Sequence, residues 1–144
     1  MTTSLDKTLE RGLEQLSEAA PLVMVVQPDR DERQALCDLL EVDGYRVVEA
    51  QNGHLALQQL RSGAELPRLL IAEVDGSLIS GAELLRIIRE TPVLCRITCV
   101  LVANRRDIER EAKRLGAVAG LQKPLSDALV LQTVGWLTGR NVAR

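Results

Sequence analysis

The sequence predicts an α/β protein: a three-layer sandwich in which helices cover both faces of a parallel sheet, with one extra helix ahead of it. Three observations carry this. From Pro21 onward, five short apolar runs alternate with five amphipathic stretches, a pattern that right-handed crossovers turn into a parallel sheet. Runs such as Leu22 to Val26 are apolar at every position, as in strands buried on both faces. The run from Pro67 to Glu73 ends on a single carboxylate, and the amphipathic stretch Gly81 to Arg89 begins eight residues later. Open parallel sheets present charged groups in this way, at the carboxyl ends of their strands.

Residues Ser4 to Ala19 read as a helix that Ser4 can cap, with Leu9, Leu13, Leu16 and Ala20 in a four-three spacing. Gly12 weakens it, and Asp6, Glu10 and Glu14 form an acidic row beside the leucines. Two heptads are too short to hold a coiled coil alone, so the expected helix is either packed on its own domain or frayed, or else dimerises or docks a partner. Then come a strand over Leu22 to Val26 and a helix over Asp29 to Val42, with Leu36, Leu39 and Leu40 inward and Gly44 closing it. Tyr45 to Ala50 is the second strand. Asn52-Gly53 opens a helix through Leu55, Ala56, Leu57 and Leu60 that ends near Gly63. Leu69 to Glu73 is a strand, Ala82 to Glu90 a helix and Ile97 to Ala103 a strand. A charged helix from Arg105 to Leu115 stops at Gly116. Val118 to Gln122 is the fifth strand and Ser126 to Thr138 the last helix. The resulting division is a helical extension over 1–20, one domain over 21–139 and a tail over 140–144.

At 144 residues the chain suits one domain with a modest extension. With one Trp, one Tyr and no Phe, aliphatic side chains must fill the core. A net charge of −2 gives no general attraction to nucleic acid or anionic membranes. No signal-like segment or membrane span is legible, so the expected compartment is the cytosol. Cys37, Cys95 and Cys99 are expected to be reduced packing residues, since their spacing suits no metal and the one histidine, His54, is remote in sequence. His54, near a helix start, is expected to be exposed.

Several segments together resemble the receiver domain of bacterial two-component response regulators, over Leu22 to Thr138. They are Val25-Val26 leading into Asp29 to Arg33, Leu39 to Ala50, Asn52-Gly53, Pro67 to Glu73, Gly81 to Arg89, Leu115-Gly-Ala117 and Lys123-Pro124. The resemblance implies the flavodoxin-like (βα)5 fold with strand order 2-1-3-4-5 and a cis peptide at Lys123–Pro124. It also implies phosphotransfer from a kinase, with Mg²⁺, to an aspartate ending the third strand, and here that position is Glu73. Glutamate displaces the carboxylate by roughly 1.5 Å, a handicap for a reaction that needs in-line placement within about half an ångström.

The family's acidic pair after the first strand falls on Gln27 and Pro28, which leaves Mg²⁺ without its carboxylate ligands; Asp29 comes one position late. The switch hydroxyl on the fourth strand falls on Leu101 or Val102, and the switch aromatic of the fifth on Gly120. Lys123 matches the family's lysine. The expectation is therefore a degenerate receiver with no cofactor, in which Glu73 and Lys123 form a metal-independent ion pair. Asp75, beside Gly76, is the rival acceptor and reads as a turn former.

With the site inert, function moves to a surface. Val130, Val134 and Leu137 form the inner stripe of the last helix, while Leu129 and Trp136 fall to one side. They are interface candidates, together with Leu9, Leu13 and Leu16, which serve either to bind another chain or to cover Leu129 and Trp136 within this one. Arg105, Arg106, Arg110, Lys113 and Arg114 alternate with Asp107, Glu109 and Glu111 on a solvated face that could also meet an acidic partner. The reading is a phosphorylation-independent interaction module that binds a kinase, effector or other signalling protein and can form homodimers, without nucleic acid or membrane. Its rivals are a phosphoacceptor using Glu73 or Asp75, and an α/β enzyme or small-ligand binder. Against the second rival, no Gly-rich phosphate loop or nucleophile–base pair is visible. Because receivers often precede an effector region, the chain could also be a fragment.

Overall fold

Five strands and five helices alternate along the chain in a computed structural model that describes residues 20–140. The strands are β1 Leu22–Val26, β2 Arg46–Ala50, β3 Leu69–Glu73, β4 Thr98–Ala103 and β5 Ala119–Gln122. The helices are α1 Arg30–Val42, α2 Gly53–Arg61, α3 Gly81–Glu90, α4 Ile108–Arg114 and α5 Asp127–Leu137. The leucine helix expected over Ser4 to Ala19 lies outside the described residues, as does most of the tail.

All strand pairs are parallel, and the sheet order is β2-β1-β3-β4-β5. Alternate side chains along each strand enter opposite layers. Val23, Val25, Leu69, Ile71, Val100 and Val102 pack under α1 and α5 with Leu36, Leu40, Val130 and Val134. Met24, Val26, Leu70, Ala72, Cys99 and Leu101 pack on the other side with Leu57, Leu84, Ile88, Ile108 and Ala112. Each fully buried aliphatic side chain contributes about 1.5–3 kcal/mol, and the two layers together fix the register that brings the strand ends level.

Polar caps set where four helices begin. Asp29, Asn52, Ser80 and Ser126 each accept a hydrogen bond from the backbone N–H three residues on, at 2.8, 2.9, 3.2 and 3.2 Å, worth about 1 kcal/mol apiece. The fourth helix is shorter than its charge pattern predicts. It begins at Ile108 rather than Arg105: Arg106 and Asp107 form a turn in which the Ile108 N–H donates to the Arg105 carbonyl at 3.4 Å, and the Arg105 side chain is held by Asp75 and Glu111. Ile97 and Val118, expected to open β4 and β5, fall just outside the observed strands. Cys95 corrects the packing expectation for the three thiols: it sits in the loop before β4 and is exposed, whereas Cys37 and Cys99 are buried.

Candidate functional site

The carboxyl ends of β1, β3, β4 and β5 converge on one edge of the sheet, and Glu73 stands at its centre. The turn after it is fixed by close backbone approach. A Cβ on Gly81 would lie 1.9 Å from the Glu73 carbonyl oxygen, so only glycine lets α3 start directly against the end of β3. Between them, Leu78 and Ile79 hold positive φ angles of 53° and 70°, a strained conformation for large side chains. The Ile79 and Leu78 carbonyls accept from the Gly53 and His54 N–H groups, both at 3.0 Å, which ties this loop to the start of α2.

Lys123 follows β5, and its Nζ lies 2.8 Å from Glu73 Oε1. Both side chains are about 15% exposed. The ammonium is shared: Nζ also donates to Glu32 Oε1 and Oε2, each at 3.1 Å. Glu32, in the first turn of α1, was not singled out by the sequence. Its signal was position, since the cap on Asp29 begins α1 at the same sheet edge. The pair expected from the sequence is thus a triad of two carboxylates and one cation. Burial would lower the Lys123 pKa, but hydrogen bonds and charge from Glu73 and Glu32 outweigh it and raise the value above the usual lysine range. Glu73 Oε2 is buried and has no hydrogen-bond partner.

The positions that follow β1 face the same edge. Gln27 is buried at 5% exposure, and its Oε1 accepts from the Asp29 N–H at 3.1 Å. Asp29 itself is engaged as the α1 cap. Arg33 Nη1 donates to the Gln27 carbonyl at 2.8 Å and Arg33 Nε to Glu49 at 3.4 Å, which pins the β1–α1 turn. Octahedral Mg²⁺ needs several oxygen donors, usually including one or two carboxylates. Around Glu73 the oxygen donors are the Gln27 amide, already in use, and the carboxylates of Glu32 and Asp75, which are paired with Lys123 and Arg105; Pro28 offers none. The crevice bounded by Pro28, Glu73, Asp75, Gly76 and Gly81 has a volume of only about 10 Å³, room for a single water. A wider cleft of about 210 Å³ opens on the α1–α5 side, lined by Glu32, Leu36, Leu39, Lys123, Leu125 and Val130.

In the strand register Glu73 pairs with Val102, while Leu101 pairs with Gly120 and Ala72. Val102 and Leu101 are both fully buried, and neither brings a hydroxyl to the carboxylate. At Gly120 a Cβ would meet the Ile108 carbonyl oxygen at 2.4 Å and the Ala112 Cβ at 2.8 Å, so α4 rests directly on β5 where an aromatic ring would otherwise stand. Asp75 is 70% exposed and pairs with Arg105 Nη1 at 2.8 Å; Arg105 also meets Glu111 at 3.1 Å. This links the β3–α3 and β4–α4 loops above the site. Leu129 and Trp136 are exposed on α5, and His54 is exposed on α2. Leu9, Leu13 and Leu16 lie outside the described residues. The Lys123–Pro124 peptide is cis.

The profile of the response regulator receiver domain matches residues 23–135. This chain belongs to that family. The receiver domain is 31% identical over 112 residues to APRR5, a two-component response regulator-like protein of Arabidopsis thaliana, a match spanning 76% of this chain and 20% of the plant protein. It is 33% identical over 114 residues to an uncharacterized 14.6 kDa protein of Leptolyngbya boryana, covering 78% of this chain and 86% of that one. The signal receiver domain of a histidine kinase from Syntrophus aciditrophicus superposes with a TM-score of 0.74 at 25% identity, over 87% of this chain and 95% of the other. Receiver domains are signalling modules of two-component systems that interact with kinases, effectors or other proteins. Among the described residues no helix is long and apolar enough to cross a membrane.

Proposed function

We propose that this receiver domain acts in two-component signalling as a phosphorylation-independent protein-interaction module, held in one state by its own side chains. The observation that supports this most is Lys123 Nζ at 2.8 Å from Glu73, because the lysine supplies the countercharge that a metal would otherwise bring. Gln27 and Pro28 in place of carboxylates, the narrow crevice and the aliphatic Val102 point the same way. With Val102 at the strand position beside Glu73, β4 supplies no hydroxyl there to read out a phosphoryl group. The domain then works as a binding scaffold rather than as an enzyme. It recognises a kinase, effector or related signalling protein in the cytoplasm, with self-association as a further mode.

Incubation with acetyl phosphate, with and without Mg²⁺, tests this reading on the wild type and on Glu73→Asp. Neither protein is expected to take up label. Mg²⁺-dependent labelling of the wild type on Glu73 or Asp75, located by peptide mapping, would overturn it in favour of an active phosphoacceptor.

A further inference from the structure

We propose that the cleft between α1 and α5 binds a small aliphatic amine that also carries a neutral hydrogen-bond acceptor. This goes beyond the function proposed above and does not rest on it, because neither phosphoryl chemistry nor a protein partner enters it. The cleft has the make-up of a ligand site, a concave apolar body with a few polar groups gathered at one end. Along α1 its lining passes from Glu32 in the first turn to Leu36 and Leu39, and along α5 from Asp127 to Val130. Charge therefore lies at the carboxyl edge of the sheet, with hydrocarbon below it. Leu36 and Val130 are buried, while Leu39 and Leu125 pack against the same core layer and stay half-buried. An aliphatic body laid between them would take that remaining apolar surface out of water. At about 210 Å³ the cleft is smaller than the roughly 300–1,000 Å³ of pockets for drug-sized molecules, so it suits a small ligand.

Charge sets the sign of the head group. Glu32, Asp127 and Glu73, the last reached through Lys123, are three carboxylates beside one ammonium. The N-termini of α1 and α5 add about half a positive charge each, which leaves about one negative charge over. Asp127 is exposed and has no ion-pair partner among the described residues. Glu32 is 47% exposed on its side chain, and its two oxygens share the single Lys123 Nζ at 3.1 Å, so both keep room for a second donor. A primary ammonium, with three N–H donors, is the complement. A carboxylate or phosphate would add to the excess.

Gln27 defines the other polar contact. It lines the cleft at only 5% exposure. Its Oε1 accepts from the Asp29 N–H, and its Nε2 donates to no acceptor among the described residues. Buried amides are normally satisfied at both ends, so the missing acceptor comes from whatever occupies the cleft. With the surplus charge already negative, that acceptor is a neutral carbonyl or hydroxyl.

Leucinamide joins an ammonium, an isobutyl body and a neutral carbonyl in one small molecule. Titrated into the intact isotope-labelled chain and followed by heteronuclear NMR, it is expected to shift the backbone amides of Leu36, Leu39, Leu125 and Val130 and the Gln27 side-chain amide along one saturation curve. N-acetyl-leucinamide, which lacks the ammonium, should bind the same wild-type protein about ten-fold more weakly or worse. Asp127→Lys, at an exposed position, should weaken leucinamide by a similar factor, whereas Glu83→Gln on α3 should leave it unchanged. Shifts that do not saturate, equal binding of the acetylated compound, or binding that Asp127→Lys leaves intact would overturn the proposal. So would leucyl-glycyl-glycinamide binding ten-fold more tightly than leucinamide, which would assign the cleft to the amino terminus of a polypeptide instead.

Discussion

Lys123 reaches across 91 positions of sequence to Glu32 while also holding Glu73, and the difference between those carboxylates sets what each substitution does. Glu73 is partly buried, with its buried Oε2 unpartnered, whereas Glu32 is half exposed. Lys123→Met leaves two neighbouring carboxylates without their cation and should destabilise the fold by about 1–3 kcal/mol in urea denaturation. Glu73→Gln should cost less, because Glu32 keeps the ammonium partnered, and Glu32→Gln should cost under about 1 kcal/mol, as for exposed pairs. The order Lys123 > Glu73 > Glu32 is the result to check. Because the folded-state pKa of Lys123 is raised, its stabilisation is complete below the unfolded lysine value of about 10.4 and is lost as pH climbs through the higher folded value. Above that point wild type and Lys123→Met should converge in stability.

The thiols separate on the same physical ground. Burial, reinforced by the nearby Glu49 carboxylate, pushes the Cys37 thiol up to about 12, and burial pushes Cys99 to about 11. Since the thiolate is the reactive form, a thiol reagent at mildly alkaline pH should modify only Cys95 in the native protein. Cys37 and Cys99 should react on unfolding, as thiol counting in the presence and absence of denaturant will show. Which thiols would be buried was only partly legible in the sequence. Cys37 falls one position after Leu36 on a clear helical face and Cys99 within an apolar strand, whereas Cys95 follows Pro92 in a loop whose path no periodicity reveals.

At the scale of elements, the contact between α4 and β5 is the most constrained. Gly120→Ala places a methyl group against the Ile108 carbonyl and the Ala112 side chain. It should lower stability by about 1–3 kcal/mol through overpacking, measured as a lower urea midpoint with an unchanged denaturant slope. The sequence marked Gly120 as a missing aromatic, but not that the helix had moved in over it, because spacing along a strand says nothing of the distance to the layer above. Element order and type were legible from the alternation of buried runs with capped amphipathic stretches. The start of α4 was not: Arg105 and Arg106 look helical by composition, while Arg105 is paired with Asp75 on a neighbouring loop and the chain turns at Arg106 and Asp107.

Across the whole molecule, two apolar layers on either face of the sheet hold the ends of β1, β3, β4 and β5 level, and that alignment turns scattered positions into one site. The family resemblance assigned Glu73, Lys123, Gln27 and Pro28 to the site through their offsets from the matching segments. Glu32 escaped because it reaches the site from a helix rather than from a strand. The same alignment brings one ammonium to the point where the Glu73 and Glu32 carboxylates converge. The central claim is therefore that the strand tip, its charge met by Lys123, takes up neither Mg²⁺ nor a phosphoryl group. Thermal unfolding in the presence of Mg²⁺ with beryllofluoride, a phosphoryl mimic, tests it most directly. A ligand at a hundred times its Kd adds about 2.7 kcal/mol of stability. The account predicts a melting temperature unchanged from that in buffer, whereas a rise of several degrees that requires both Mg²⁺ and beryllofluoride and disappears in Glu73→Ala would contradict it.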